Sequence, residues 1–147
     1  MIMQIEDAGR NDYLELLQVW EDSVRATHDF LTEQDIETFK PLILQHGFDS
    51  VVLKCVRDQG EILGFIGVQQ NKIEMLFLRD RARARGIGKM LLHYAIDTLE
   101  CCLVDVNEQN PQAVGFYRHC GFEVVKRSAT DDGGRPFPIL HMQLVKT

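Results

Sequence analysis

The chain has 147 residues, of which 45% are hydrophobic and 26% charged, so we expect a single globular domain over 1–147. No apolar run is long enough to cross a membrane and the first residues lack a signal-peptide pattern, which predicts a cytoplasmic protein with no membrane partner. The formal net charge of −6 argues against nucleic acid as a partner.

The four cysteines do not have the C-x-x-C spacing of a zinc site, and the five histidines are scattered along the chain. Two of the cysteines, Cys101 and Cys102, lie side by side in an apolar stretch. We therefore expect reduced thiols, as is usual in the cytoplasm, and no metal site.

The N-terminal part is expected to hold one short strand and two helices. The strand covers 2–5, and Asn11 or Asp12, followed by Glu15, caps the first helix. Helical spacing assigns four residues to its apolar face: Leu14, Leu17, Trp20 and Val24. After a break in the pattern, a second helix covers about 32–44.

The middle of the chain changes to the pattern of strands. Three strands are expected, over 51–56, 62–68 and 73–78, and the turn Asp58-Gln59-Gly60 joins the first two as a hairpin. A basic loop over 79–85 follows the third strand.

Helices and strands alternate in the remainder of the chain. The expected elements are a helix over 86–99, a strand over 101–106, a helix from Pro111 to about Gly121, and strands over 122–127 and 139–145. Asn110 is the N-cap of the second of these helices. Because strand, helix and strand around 73–106 form a βαβ unit, those two strands are expected to be parallel.

The sequence R-x-x-G-x-G, from Arg83 to Gly88, opens a helix and suits an anion. The first N–H groups of a helix have no partner within it, and glycine lets a phosphate approach the backbone. Cations cluster around this loop: Arg79, Arg81, Arg83, Arg85 and Lys89. A pyrophosphate fits this pattern, although a solvated basic turn at a helix start has the same appearance.

Two nucleotide-binding motifs compete for this loop. A Walker loop does not fit, because Arg83 stands five residues before Gly88 in place of its early glycine and Met90 stands where Ser or Thr is required. A dinucleotide fingerprint is the closer rival, since Asp105 lies at a plausible distance for a ribose contact, but Leu91 occupies its third glycine position.

A second pattern, N-x-x-A-x-x-F-Y-x-x-x-G-F, runs from Asn110 to Phe122. Together with R-x-x-G-x-G it resembles the GNAT acetyltransferase superfamily, over most of the chain. Segments 26–31 and 106–110 are similar to those of its small stand-alone bacterial members. The resemblance implies a mixed α/β fold with a mostly antiparallel twisted sheet, one splayed pair of parallel strands and about four helices.

The resemblance also implies acetyl-CoA as the cofactor. It places the pyrophosphate on the N–H groups of the glycine loop and the pantetheine arm between the two parallel strands. The residues that it assigns to cofactor binding are Leu76, Phe77, Leu78, Arg83, Ala84, Arg85, Gly86, Ile87, Gly88, Lys89, Asn107, Asn110, Ala113, Phe116 and Tyr117. Ala84 departs from the family pattern, in which glycine is common at that position.

Acetyl transfer to an amine needs a neutral amine, a stabilised oxyanion and a proton for the leaving sulfur. The resemblance makes Tyr117 the acid that protonates the thiolate, and a strand N–H near Leu76 is placed to hold the oxyanion. Glu74 is a candidate general base, with an ordinary exposed strand carboxylate as an equal alternative.

The acceptor is expected at the break between the first two helices, where this family builds its acceptor pocket. His28, Asp29 and Phe30 are assigned to substrate binding, with a helix-capping role as the alternative for the first two. The loop Asp131-Asp132 is a weaker candidate for holding a cationic acceptor.

The sequence thus predicts an acetyl-CoA-dependent N-acetyltransferase in which a primary amine of a small molecule or peptide attacks directly. We expect a monomer or a homodimer. Two rival functions stay open, a non-catalytic acyl-CoA sensor on the same fold and a fragment of a nicotinamide-dinucleotide oxidoreductase.

Overall fold

The computed structural model describes residues 3–145. The chain divides into two compact units, the first ending at Cys101 and the second starting at Cys102. The single domain expected over 1–147 stays a prediction.

The first unit contains a four-stranded antiparallel sheet. Its strands are, in spatial order, β1 (Ile5–Asp7), β2 (Val52–Asp58), β3 (Glu61–Gln69) and β4 (Lys72–Leu78). The turn predicted between β2 and β3 is confirmed, with Gln59 at φ +52° and Gly60 at φ +81°, as a tight two-residue hairpin requires. The first strand begins later than the predicted 2–5, at Ile5, and Ile2 lies outside the described residues.

Helix α1 (Tyr13–Thr27) buries a face that differs in part from the predicted one. Its buried residues follow the spacing i, i+3, i+4, i+7, i+8: Leu16, Val19, Trp20, Ser23 and Val24. Leu14 is 68% exposed, so its assignment to the core was wrong. The steps of three residues from Leu14 to Trp20 fall short of the 3.6-residue helical turn, and they drift away from the buried stripe.

The capping box predicted at the start of α1 was also wrong. Asp12 stands at the N-cap, but its side chain makes no bond to the helix and accepts the N–H of Gly9 at 2.9 Å. Glu15 accepts the backbone N–H of Ile62 at 2.7 Å, which ties α1 to β3. Asp12 thus bonds to the residue three positions before it, and Glu15 to a distant strand, instead of to the start of the helix.

Helix α2 (Glu33–Leu42) starts at the predicted place. The hydroxyl of Thr32 accepts the N–H of Asp35 at 3.1 Å and the carboxylate of Asp35 accepts the N–H of Thr32 at 3.0 Å, which is a capping box. Pro41 lies in the last turn, and the chain continues beyond α2 as one π-helical turn, Ile43–Gly47.

Helix α3 (Ile87–Asp97) completes the first unit. It buries the predicted positions Ile87, Leu91 and Ala95 and, beside them, Gly88 and Leu92. It packs against β2, β3 and β4.

The second unit contains β5 (Leu103–Asn107), α4 (Pro111–His119), β6 (Phe122–Ser128) and β7 (Ile139–Leu144). Strand β7 lies between β5 and β6 and is antiparallel to both. The predicted start of α4 is confirmed, because the side-chain oxygen of Asn110 accepts the N–H of Ala113 at 3.3 Å. Gly121, at φ +102°, follows the end of α4.

All four cysteines are in the thiol form in the structure. Cys55 and Cys101 are buried, and burial raises the pKa of Cys55 to about 11. A thiol of this kind is inert core material at neutral pH.

Candidate active site

The glycine loop of the first unit connects β4 to α3. One 3-10 turn, Asp80–Ala82, follows β4, and the chain is then extended at Arg83. Gly86 is the N-cap of α3 in the left-handed conformation, at φ +81°, and no side chain caps this helix. The first N–H groups of α3 therefore have no partner within the helix and no capping side chain, which is the arrangement that holds an anion.

The surface above Gly86 is open. A Cβ built at this position meets no other atom within 4 Å, so no other part of the chain fills the space where a side chain would stand. Ala84 also adopts a left-handed conformation, at φ +64°, which costs an L-residue roughly 1–2 kcal/mol. The residue type that relieves this strain is glycine, the residue common at this position in the family that the sequence resembles.

The predicted cluster of cations is partly neutralised by carboxylates. Arg81 pairs with Glu61, and Arg83 lies 3.2 Å from Asp80. Arg85 and Lys89 are exposed and form no ion pair within residues 3–145. These two side chains supply the open positive charge of the loop.

Arg79 has a structural role at the end of β4. Its guanidinium donates to the carbonyl oxygen of Ile62 at 2.7 Å and lies 3.6 Å from Glu15. The N–H of Asp80 donates to Asp22 of α1 at 2.7 Å. These bonds fix the start of the loop on β3 and α1.

The residues of β4 assigned to the cofactor, Leu76 to Leu78, are half-buried. Phe77 packs against Phe65, with ring centroids 5.8 Å apart. The candidate base Glu74 is an exposed residue of the same strand, with a carboxylate oxygen 3.9 Å from the ammonium nitrogen of Lys72. Nothing in these contacts distinguishes it from an ordinary surface carboxylate.

Two of the predicted acceptor residues lie together with a residue of β4. The ring of His28 is 5.2 Å from that of Phe30 and 6.5 Å from that of Phe77. Asp29, between them in sequence, is exposed. The structure therefore forms an aromatic cluster from His28, Phe30 and Phe77 at the end of α1.

Hydrogen bonds determine the tautomer of His28. The hydroxyl of Thr27 donates to the carbonyl oxygen of Ser23 at 2.8 Å and lies 2.8 Å from Nδ1 of His28. Because that hydroxyl has only one proton, Nδ1 is the donor and Nε2 carries the lone pair. Burial lowers the pKa of His28 to about 4, against a smaller opposing effect of Asp29, so the ring is neutral at physiological pH.

In the second unit, Asn110 and Tyr117 are the most buried of the predicted cofactor residues. Asn110 is 8% exposed and its side-chain oxygen caps α4, so this residue has a structural role besides any contact with a ligand. Ala113 and Phe116 are half-buried on the same helix, and Asn107 is the last residue of β5.

Tyr117 is 6% exposed and packs edge-on against Phe116 and Phe122, with ring centroids 5.2 and 5.7 Å apart. Burial raises its pKa far above that of an ordinary phenol, and the neighbouring Cys120 adds to the effect. The phenol is consequently protonated throughout the neutral range, which is the state that an acid requires.

One group of polar side chains in the second unit has no counterpart in the sequence-based predictions. His141 of β7 joins Asp105 of β5 and Ser128 of β6, with nitrogen–oxygen distances of 2.7 Å on either side. The three residues are far apart in sequence and only the strand register brings them together, so no local sequence motif predicts the group.

The loop before β7 is organised by one of its own carboxylates. A side-chain oxygen of Asp131 accepts the N–H groups of Gly133 and Arg135, at 3.0 and 2.8 Å. These bonds explain Asp131 as a loop residue, whereas Asp132 is exposed.

A model of the GNAT acetyltransferase domain matches residues 27–145 of the chain. The peptidyl-lysine N-acetyltransferase YjaB of Salmonella typhimurium is 36% identical to it over 142 residues, which cover 97% of this chain and 98% of that protein. The chain belongs to the GNAT acetyltransferase family.

Solved structures agree with this assignment. The solution structure of apo YjaB from Escherichia coli matches with a TM-score of 0.89 at 32% identity, covering 100% of both chains. The PaiA N-acetyltransferase of Thermoplasma acidophilum, in complex with coenzyme A, shares the fold with a TM-score of 0.75 at 21% identity, over 97% of this chain and 99% of that one.

These likenesses confirm the predicted fold class, a mixed α/β fold with a mostly antiparallel sheet, one parallel pair of strands, and four α-helices within residues 3–145. Membership of the GNAT family confirms an acetyl-CoA-dependent N-acetyltransferase and does not favour a non-catalytic sensor. No helix within the described residues is both long and apolar enough to span a membrane. The roles of individual site residues, the compartment and the oligomeric state stay predictions.

Proposed function

We propose that this GNAT enzyme acetylates the ε-amino group of lysine in a peptide or protein, by direct attack of the amine on acetyl-CoA. YjaB of Salmonella typhimurium, 36% identical to the chain, is named for peptidyl-lysine acetylation. The observation that carries the proposal is the open N-terminus of α3, where Gly86 leaves the backbone exposed beside Arg85 and Lys89.

On the cofactor side, the N–H groups at the start of α3 bind the pyrophosphate. Arg85 and Lys89 add charge to this contact, and residues 83–88 shape the loop around it. The half-buried strand residues Leu76 to Leu78 hold the pantetheine and acetyl groups, with a β4 N–H as donor to the oxyanion. In the second unit, α4 and the end of β5 supply the remaining assigned contacts, among them Asn107 and Asn110.

Tyr117 gives its proton to the sulfur of the departing coenzyme A. A thiolate that leaves a thioester is stabilised when a nearby acid protonates it. The phenol of Tyr117 is protonated at neutral pH, which is the state that this step needs. Glu74 stays a predicted base.

The acceptor binds at the cluster formed by His28, Phe30 and Phe77. Its aromatic faces suit the aliphatic stem of a lysine side chain, and the exposed carboxylate of Asp29 attracts the ammonium group. The neutral ring of His28 offers Nε2 as a hydrogen-bond acceptor for the substrate.

The test is acetylation of a panel of lysine-containing peptides by the purified chain with acetyl-CoA, followed by mass spectrometry of the products. The same peptides with lysine replaced by arginine, and with the N-terminus blocked, identify the acetylated nitrogen. Acetyl-lysine in the first set alone supports the proposal. Acetylation of N-termini or of small polyamines, with none on lysine, would overturn the lysine assignment.

A further inference from the structure

Three polar side chains form one hydrogen-bonded chain across the sheet of the second unit. Asp105 on β5 and His141 on β7 are directly opposite in the strand register. Ser128 on β6 is opposite Ile139, two residues from His141 on the same face of β7. Oδ1 of Asp105 is 2.7 Å from Nδ1 of His141, and Oγ of Ser128 is 2.7 Å from Nε2.

The two ends of this chain fix the protonation of the ring. The ionised carboxylate of Asp105 only accepts hydrogen bonds, so Nδ1 of His141 carries the proton. Nε2 then has the lone pair and accepts the hydroxyl proton of Ser128. Nε2 is therefore the ring nitrogen that faces the hydroxyl of Ser128 and can accept its proton.

The face that carries these residues is accessible, in contrast to the other face of the same sheet. Val104, Val106 and Met142 are buried on the opposite face, and α4 contacts β5 and β6. The side chains of Asp105 and His141 are 25% and 28% exposed. A substrate therefore reaches the chain of side chains without displacing α4.

The same face of β5 also carries Asn107, a residue that is predicted to contact the cofactor. Asn107 lies two residues after Asp105, so both side chains project from the same side of β5, roughly 7 Å apart along the strand. The nearby carboxylate of Glu108 is already engaged by Arg127, at 2.5 and 3.1 Å, and this pairing lowers the pKa of Glu108. A carboxylate with a lowered pKa is a weak base.

We propose that Ser128, His141 and Asp105 form the relay that removes the proton from the acceptor amine, in preference to Glu74. The proposal rests on the proposed function. The ammonium of the substrate gives a proton to Oγ of Ser128 as the hydroxyl proton moves to Nε2 of His141. The neutral amine then attacks the acetyl carbonyl, and the C–S bond breaks as Tyr117 protonates the sulfur. The extra proton on the amide nitrogen restores the phenol of Tyr117, and the imidazolium returns its proton to solvent after the product leaves.

The relay role is separated from a structural one by its pH dependence. A lysine amine has a pKa of about 10.4, so solvent removes its proton at alkaline pH without help from the enzyme. His141→Gln keeps groups that can hydrogen-bond on both sides but cannot be protonated, and we expect kcat/KM to fall about a hundredfold at pH 7. The deficit should shrink towards pH 10, with KM for acetyl-CoA unchanged.

Asp105→Asn gives a second, independent test. The amide of Asn donates to Nδ1, which moves the ring proton to Nε2 and removes the acceptor for Ser128. Its loss at pH 7 should therefore be as large as that of His141→Gln, although no histidine is removed. Two charged residues are in register with His141: Asp105 on β5 and Lys126 on β6. Lys126 is unchanged in both variants.

The control is His119→Gln, which removes an exposed histidine at the end of α4 and should leave the pH profile unchanged. Turnover by the unaltered chain is the reference. If that chain acetylates no lysine, the proposed function fails; if it does and the variants show no pH-dependent loss, only the relay fails. The relay would be overturned if the loss of kcat/KM in His141→Gln and in Asp105→Asn stayed the same from pH 7 to pH 10. Recovery of acetyl-Ser128 after incubation with acetyl-CoA would also overturn it, because the hydroxyl would then be a nucleophile.

Discussion

Gly86 and Gly60 offer a matched pair of substitutions that separates the cofactor role of the glycine loop from its backbone conformation. Both glycines have φ +81°, and a Cβ built at either position meets no atom within 4 Å. Gly86 caps α3, whereas Gly60 lies in the turn between β2 and β3. The two positions therefore have the same backbone conformation, but only Gly86 stands at the predicted pyrophosphate site.

Alanine should cost the same stability at both positions. The left-handed conformation is unfavourable for alanine by about 1–2 kcal/mol, and the loss of freedom in the unfolded chain returns roughly 0.4–1 kcal/mol. The net cost of about 1 kcal/mol lowers Tm by about 2–4 °C in each variant.

Only Gly86→Ala should weaken acetyl-CoA binding. The new methyl group stands where the pyrophosphate approaches the backbone, and one lost charge-assisted hydrogen bond is worth about 1.5–3 kcal/mol, or roughly tenfold to a hundredfold in Kd. Acetyl-CoA at a hundred times the Kd of the unaltered protein adds about 2.7 kcal/mol of stability. A thirtyfold weaker Kd reduces that gain to about 0.9 kcal/mol.

Thermal unfolding of both variants, with and without acetyl-CoA, measures these quantities. Gly60→Ala should keep the full rise in Tm on addition of acetyl-CoA, and Gly86→Ala should lose most of it. Equal rises in the two variants would refute the assignment of the pyrophosphate to the start of α3. Free coenzyme A should reproduce the pattern, because it carries the same pyrophosphate.

Three further predictions concern single side chains. Tyr117→Phe should lower kcat about a hundredfold with an unchanged Kd for acetyl-CoA, measured by steady-state kinetics and calorimetry, and an unchanged kcat would remove Tyr117 from the mechanism. Ala84→Gly should raise the free energy of unfolding in urea by up to about 1 kcal/mol, since it relieves the left-handed alanine, and a loss of stability would contradict the strain. His28 has a folded pKa below its unfolded value of about 6.5, so its contribution to stability is complete above that pH and is lost as the pH falls towards 4. Between pH 7 and 5 the chain should therefore lose about 2 kcal/mol more than His28→Gln does in urea unfolding, and equal losses would show that the ring titrates normally.

Local signals in the sequence predicted the elements around the site well. Two helix starts were signalled locally, by Asn110 with Pro111 and by Gly86 before α3. Each signal depends on the conformation of one or two residues, so it does not need contacts with distant parts of the chain. The turn at Gln59 and Gly60 was predictable for the same reason. The glycine loop and the uncapped start of α3 could be predicted from the sequence because both depend on local backbone conformation.

Features that depend on distant parts of the chain were not predictable in this way. Glu15 bonds to Ile62 instead of serving the cap of α1, and the buried stripe begins at Leu16 and not at Leu14. The contacts of His141 with Asp105 and Ser128 depend on strand register, which no spacing along the sequence encodes. Sequence reasoning therefore predicted the glycine loop at the start of α3 and missed this polar chain.

If Tyr117 is the acid, as proposed, its burial has a consequence for the range of pH in which the enzyme can work. An ordinary phenol and a lysine amine lose their protons at nearly the same pH, about 10 and 10.4. With such a phenol, any solution alkaline enough to supply the neutral amine would also strip the acid of its proton. In the proposed mechanism, burial raises the pKa of Tyr117 above that of an ordinary phenol, so the acid still holds its proton at a pH where a free phenol would begin to lose it. The apolar packing around one side chain thus allows two groups of similar intrinsic acidity to be present in opposite protonation states.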